Sequence, residues 1–387
     1  MENISRSANS RENILLVDDT PDNLRLLSQI LSERNYHVRA VTNGDRALES
    51  VQLVPPDLIL LDIRMPGMDG FEVCRALKED GKTENIPVIF ISALDDVADK
   101  VKAFAAGGVD YITKPFQYEE VVARAETHLT LRRLQRELRL SNRKMTHELA
   151  LAGEVQASFL PDKMPEIPGW QFAVTLQPAR ETSGDFFDMF MLPDGRLGLL
   201  VADVVDKGVG AALFMSLSYA LFRSYAQQFP GQPQRVFDAM NNHILHDTNA
   251  NQFVTAFYGI LDPQSGNMVY SNAGHPPPLI LGPENKQGVR WLANTGVPLG
   301  VLEECSWEQR EVQLFPQDVL CLYSDGVIEA EQNHDSPFGM GRLLDCAKAR
   351  VNGTAAEIQQ GIIDDILQFV GEAPQLDDIV LFVVKRE

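Results

Sequence analysis

The chain has 387 residues, 54 acidic against 34 basic, for a formal net charge of −20. That length exceeds one ordinary core, so two or more domains are expected, and a surface this acidic repels nucleic acid and anionic membranes. A hydrophobic fraction of 44% marks a globular chain, no apolar run approaches the ~20 residues that span a bilayer, and the separated Cys74, Cys305, Cys321 and Cys346 read as reduced thiols of a cytoplasmic protein.

Met1 to Glu12 is polar, lacks a signal-peptide core and reads as a disordered tail. From residue 13 to 129, five short apolar runs follow one another. Ile14–Val17 ends on Asp18-Asp19, Leu58–Leu61 on Asp62, Val88–Ile91 on Ser92, and Tyr111–Thr113 on Lys114-Pro115; Val38–Val41 ends on Thr42 and carries none of these groups. Continuous apolar runs of this length are buried parallel strands, whose ligands sit at their carboxyl ends. The expectation is a doubly wound (βα)5 α/β domain with three carboxylates, a hydroxyl and a lysine at one edge. Three converging carboxylates repel one another unless a divalent cation lies among them. Mg²⁺ suits an all-oxygen site that also takes phosphate, and a carboxylate beside it can accept a phosphoryl group.

On these residues, together with Met65-Pro66-Gly67-Met68-Asp69-Gly70, Ser92-Ala93 and Lys114-Pro115-Phe116, residues 13–129 resemble the receiver domain of two-component response regulators. The resemblance implies that Asp62 accepts the phosphoryl group. It also implies that Asp18, Asp19, Asp62 and the carbonyl of Arg64 hold Mg²⁺, that Ser92 and Tyr111 form a switch pair, and that Lys114 binds phosphate. The implied donor is a sensor histidine kinase or a phosphotransfer protein.

Residues 118–159 contain no proline and one glycine, Gly153, so one helix ~60 Å long is expected, at 1.5 Å per residue. Within the linker, 130–160, a seam runs through Leu131, Leu134, Leu138, Ser141, Met145, Leu149, Ala152, Gln156 and Phe159. Its spacing is heptad-like with one stutter at Met145 to Leu149. An apolar seam this long needs a partner, so a parallel coiled coil making a homodimer is expected.

From 161 to 387 the texture becomes α+β. Ten short strand patterns begin at Gln171 and end at Ile379–Val384, with helical stretches at Ala211–Gln228, Pro233–His246, Met340–Arg350 and Ala355–Val370. This pattern suggests an αββα β-sandwich flanked by helices. Asp185, Asp203, Asp325 and the pair Asp377-Asp378 adjoin its strand patterns. Several oxygen ligands without nearby His or Cys suggest two Mn²⁺ or Mg²⁺ ions. Such a pair would activate water for in-line attack on a phosphoester.

The stretches Glu154-Val155-Gln156, Ser183-Gly184-Asp185-Phe186-Phe187-Asp188, Ala202-Asp203-Val204-Val205-Asp206-Lys207-Gly208-Val209, Asn272-Ala273-Gly274-His275-Pro276-Pro277, Leu322-Tyr323-Ser324-Asp325-Gly326-Val327 and Asp377-Asp378-Ile379 are similar to the SpoIIE/RsbU-type branch of the metal-dependent (PPM, protein phosphatase 2C-like) serine/threonine phosphatases. The resemblance implies that Asp203 bridges both ions, that the Val204 carbonyl ligates one, and that Asp185, Asp325 and Asp377 complete the shells, with Asp378 as the alternative at the last motif. By the same resemblance Asp203, Asp325 and Asp377 would be the catalytic set. Ser183, Asp206 and Gly210 depart from the glycine, glycine and proline usual at their positions. The implied substrate is a phosphorylated STAS anti-anti-sigma protein of a partner switch. The rival reading is a catalytically silent adaptor that binds a sigma or anti-sigma regulator.

Overall fold

In the computed structural model the described residues are 11–92, 97–161, 163–247, 252–282, 289–332 and 336–387. Most of the expected N-terminal tail, residues 1–10, lies outside them, as does Ala93. The chain divides into two compact units, the division falling after Arg143.

In the first unit, β1 (Asn13–Val17), β2 (His37–Val41), β3 (Leu58–Asp62), β4 (Val88–Ser92) and β5 (Asp110–Thr113) form a sheet of order β2-β1-β3-β4-β5, parallel at every pairing. The helices are α1 (Pro21–Glu33), α2 (Gly44–Leu53), α3 (Gly70–Glu79), α4 (Val97–Ala105) and α5 (Tyr118–Ala157). The period of two along each strand explains why the runs are apolar throughout. Leu15, Val17, Ile59, Leu61, Val88 and Phe90 face a core shared with Val51, Val73 and Leu77. Ile14, Leu16, Leu58, Leu60, Ile89 and Ile91 face the opposite core, shared with Leu27, Leu31, Val121 and Ala125. Both faces of β1, β3 and β4 are therefore covered, which leaves their ends to carry polar groups; the edge strand β2, expected to be a buried run, is only partly buried and carries Arg39 in its middle.

Helix α5 is continuous over 40 residues. Up to Leu129 its apolar side is buried in the receiver core. Beyond that point Leu131, Leu134, Leu138 and Met145 are exposed. Gln156, counted in the seam from its spacing, is instead buried against the loop before Asp185.

In the second unit two antiparallel sheets stack. One is β13 (Arg310–Gln313), β10 (Asn267–Ala273), β9 (Val254–Leu261), β8 (Leu197–Val204) and β7 (Phe186–Met191), in that order. The other is β12 (Val289–Trp291), β11 (Leu279–Leu281), β14 (Val319–Tyr323), β15 (Ile379–Arg386) and β6 (Trp170–Gln177). Alternation assigns each strand to two cores. Leu197, Leu199 and Val201 of β8 point between the sheets, where they join Val380, Phe382 and Val384 of β15. Leu200, Ala202 and Val204 point outward under α6 (Val209–Gln228) and α7 (Pro233–Asp247). Ile379, Leu381 and Val383 do the same under α9 (Gly339–Ala349) and α10 (Ala355–Val370). Four layers, helix-sheet-sheet-helix, result. The element not foreseen is α8 (Asp325–Glu329), one short turn at the end of β14. Among the described residues no helix is long and apolar enough to cross a membrane.

Candidate functional site

The first unit gathers its polar groups at the carboxyl edge of the sheet. Asp18, Asp19 and Asp62 each place a carboxylate oxygen within 4.8 Å of the others. Lys114 Nζ lies 2.8 Å from Asp18 Oδ2 and 2.9 Å from Asp62 Oδ2. Burial raises the Asp62 pKa against the opposing pull of Lys114. Asn23, on the first turn of α1, was not foreseen: its Nδ2 donates to both oxygens of Asp18, at 3.0 and 2.9 Å. The backbone N–H of Thr20 also donates to Asp18, at 2.8 Å. A residue five positions downstream of Asp18 carries no periodic signal, so only the fold reveals it.

Arg64 contacts the Asp62 carboxylate through its backbone. Ser92 is buried at the end of β4, and Tyr111 is half-buried on β5, paired with the Lys100 ammonium 4.6 Å from its ring centroid. Gly70 is required here: a Cβ on it would stand 2.3 Å from the Asp62 carbonyl oxygen.

The second unit carries a denser acidic centre. Asp185 precedes β7, Asp203 lies on β8, Asp325 opens α8 and Asp377 precedes β15. Asp185 is buried and meets the side chains of Asp203 and Ser324 through hydrogen-bond contacts. Asp325, Glu329 and Asp377 bring carboxylate oxygens within 4.8 Å of one another. Glu329 was missed because a five-residue helix is too short to show a period. Burial, with crowding from neighbouring carboxylates, raises Asp203 to about 7 and Asp325 to about 6. The same causes hold Asp185 well above the usual carboxylate range.

Asp378 is occupied differently from Asp377. It accepts from Ala179 N at 2.7 Å, Gly184 N at 2.8 Å and Ser183 Oγ at 2.8 Å. It therefore braces the loop that presents Asp185. Ser183, where glycine is usual, contributes the hydroxyl that makes one of these bonds. Ser324 adds a second brace, on the Asp378 side, its Oγ donating to Asp378 O at 3.2 Å and accepting from Val380 N at 2.9 Å. Gln156 adds a third: its Nε2 donates to Ser183 O at 2.5 Å, and its Oε1 accepts from Ser183 N at 3.0 Å. Helix α5 presses so closely here that a Cβ on Gly153 would stand 2.0 Å from Glu181 O. Asp206 holds a φ of +84°, which explains why glycine is usual at that position.

These residues fit divalent ions. The buried Asp185 Oδ2 has no hydrogen-bond partner among the described residues. Beside Gly184 a Cβ would fill a space faced by Val204 O at 3.0 Å and Asp203 Oδ1 at 3.6 Å, so the missing side chain keeps those oxygens open. Every donor is an oxygen, the set that Mg²⁺ and Mn²⁺ prefer.

His275 is buried, with its Nδ1 2.9 Å from Thr255 Oγ1, and burial pushes its pKa down to about 3. Held neutral in this way, it keeps one ring N–H but lacks the imidazolium proton of a general acid. His246 is exposed on α7, and His243 Nδ1 lies 3.4 Å from Tyr225 Oη.

Residues 193–387 match the family described as Stage II sporulation protein E (SpoIIE). The chain belongs to the SpoIIE family. Residues 14–126 match the response regulator receiver domain, so a receiver precedes the SpoIIE region in one chain. Protein IcfG of Synechocystis sp. is 31% identical over 266 residues, 62% of this chain and 41% of IcfG; the chain thus spans less than half the length of that relative. Phosphoserine phosphatase RsbU of Bacillus subtilis is 26% identical over 263 residues, 68% of this chain and 75% of RsbU. The solved SiaA-PP2C domain of Pseudomonas aeruginosa superposes with a TM-score of 0.57 at 18% identity, over 64% of this chain and 98% of that domain. That is a likeness of fold.

Proposed function

We propose that the chain is a response regulator whose output is a metal-dependent phosphoserine/phosphothreonine protein phosphatase. The observation that carries this reading is the convergence of Asp185, Asp203, Asp325 and Asp377, with Asp185 Oδ2 buried and unpartnered. Asp203, Asp185, Asp325, Asp377 and the Val204 carbonyl would hold two Mn²⁺ or Mg²⁺ ions. When bound, such ions supply Lewis acidity and an activated water for attack on phosphorus. The chain's own part is to fix these oxygens through Asp378, Ser183, Ser324 and Gln156; attack by water requires no nucleophilic side chain. The 26% identity to a phosphoserine phosphatase over most of both chains supports the same substrate class.

In the receiver, Asp62 accepts the phosphoryl group from a sensor histidine kinase or phosphotransfer protein; Asp18, Asp19, Asp62 and the Arg64 carbonyl would hold Mg²⁺, and Lys114 and Ser92 meet the new phosphoryl oxygens. Tyr111 forms the coupled switch pair with Ser92. The exposed apolar line Leu131, Leu134, Leu138 and Met145 pairs with the same line of a second copy, which makes α5 the dimer's coiled coil. The protein works in the cytoplasm, and its substrate is a phosphorylated STAS anti-anti-sigma protein. Coupling is a two-state equilibrium, for which tenfold activation needs about 1.4 kcal/mol. The test is phosphate release from phosphorylated STAS proteins with Mn²⁺, with and without beryllofluoride. Release that changes with beryllofluoride and disappears in Asp203→Ala supports the reading; release that survives in Asp203→Ala contradicts it.

A further inference from the structure

Beside the carboxylate centre lies a cleft of about 460 Å³, within the ~300–1,000 Å³ typical of ligand clefts. It shares Glu329 and Asp377 with that centre, and Lys207 and Gly326 line it beside them. Its other wall is apolar, from Leu367 and Val370 of α10 and from Leu376 in the segment after it. Leu367 and Leu376 are 51% and 49% exposed. Lys207 stands at the border of the two halves, its Nζ 2.9 Å from Asp377 Oδ2 and 2.7 Å from Leu376 O.

We propose that this cleft seats the peptide segment around the phosphorylated serine of a protein substrate. Lys207 meets a phosphoryl oxygen, and Leu367, Val370 and Leu376 meet a large apolar side chain a few residues from the phosphoserine. This deepens the phosphatase reading and rests on it. Continuity decides the occupant: cation, carboxylates and apolar wall line one cleft, so its ligand must offer an anion and an apolar group together. A free phosphate or small phosphoester would use the charged end alone. Lysine is a point-charge binder of phosphate, well matched to a group whose other oxygens face metal ions. An apolar anchor beside a charged contact is the usual source of specificity at such a surface. Glu329 and Glu331, also lining the cleft, disfavour acidic residues next to the phosphoserine.

The full chain is tested with Mn²⁺ on p-nitrophenyl phosphate and on a phosphoserine peptide carrying one nearby leucine, with an alanine version alongside. For Leu367→Glu, the ratio of peptide to p-nitrophenyl phosphate kcat/KM is expected to fall about tenfold, mainly through KM. The same change at Met191, an exposed apolar residue at the end of β7, leaves that ratio unaltered. Lys207→Ala raises KM for both substrates and Lys207→Arg restores part of it. An unaltered ratio in Leu367→Glu overturns the apolar subsite, and an unaltered KM in Lys207→Ala overturns the phosphate contact. Fluorescence anisotropy of the labelled, unphosphorylated leucine peptide needs no turnover: wild type is expected to bind it more tightly than the alanine version, and Leu367→Glu to erase that preference. If wild type hydrolyses neither substrate, the phosphatase reading fails, and the anisotropy result alone decides the cleft.

Discussion

Replacing Gln156 by alanine separates the linker helix from the loop that presents Asp185. The carboxamide satisfies both backbone groups of Ser183, a residue only 3% exposed. A buried donor or acceptor left without its partner costs about 1–3 kcal/mol, so the two together weaken the ordered loop by about 2–6 kcal/mol. Each ~1.4 kcal/mol is tenfold in an equilibrium constant. If ~2 kcal/mol of the loss falls on the loop, Mn²⁺ binding weakens by about thirtyfold. The assay is isothermal calorimetry of Mn²⁺ into wild type and Gln156→Ala, with thermal denaturation alongside. A variant that melts earlier but binds Mn²⁺ as tightly as wild type would show that Gln156 only packs, and its role in holding the Asp185 loop for metal would be refuted.

Three further outcomes follow from the same structure. Asp206→Gly relieves a left-handed backbone and is expected to stabilise the protein by about 1 kcal/mol in urea denaturation. The Asp203 and Asp325 pKa values, about 7 and about 6, are raised above the ordinary value near 3.8. Each group binds its proton more tightly when folded, so that stabilisation is complete below about pH 4 and is lost as pH climbs through 6 to 7. The metal-free protein should therefore melt at lower temperature at pH 8 than at pH 5, and added Mn²⁺ should raise the melting temperature more at pH 8; a flat profile contradicts this. Leu138→Glu, at a position 62% exposed in the single chain, should leave the melting temperature of the monomer intact while reducing dimer in multi-angle light scattering of the beryllofluoride-treated protein.

The parts legible in the sequence are those set by burial on both faces. Continuous runs such as Leu58–Leu61 and Val380–Val384 can only be strands covered on each side, and their ends locate Asp62 and the Asp377-Asp378 pair. The layered sandwich follows from the period of two along β8 and β15. What periodicity does not encode is a residue's partner across the chain. Spacing put Gln156 in the helix seam, yet its carboxamide lies against Ser183, 27 residues away. Asn23, Ser324 and Glu329 carry no pattern of their own and become visible only when strand ends and short turns meet. The adjacent Asp377 and Asp378 were indistinguishable as letters; alternation along the chain turns one toward Asp325 and Glu329, the other toward Ala179, Ser183 and Gly184.

The most direct measurement is release of inorganic phosphate from a phosphoserine peptide by the full chain and by Asp203→Ala, each titrated with Mn²⁺. The account predicts saturable, Mn²⁺-dependent release by the wild type and none above background by the variant. Equal release by both proteins, or none by the wild type at saturating Mn²⁺, contradicts it.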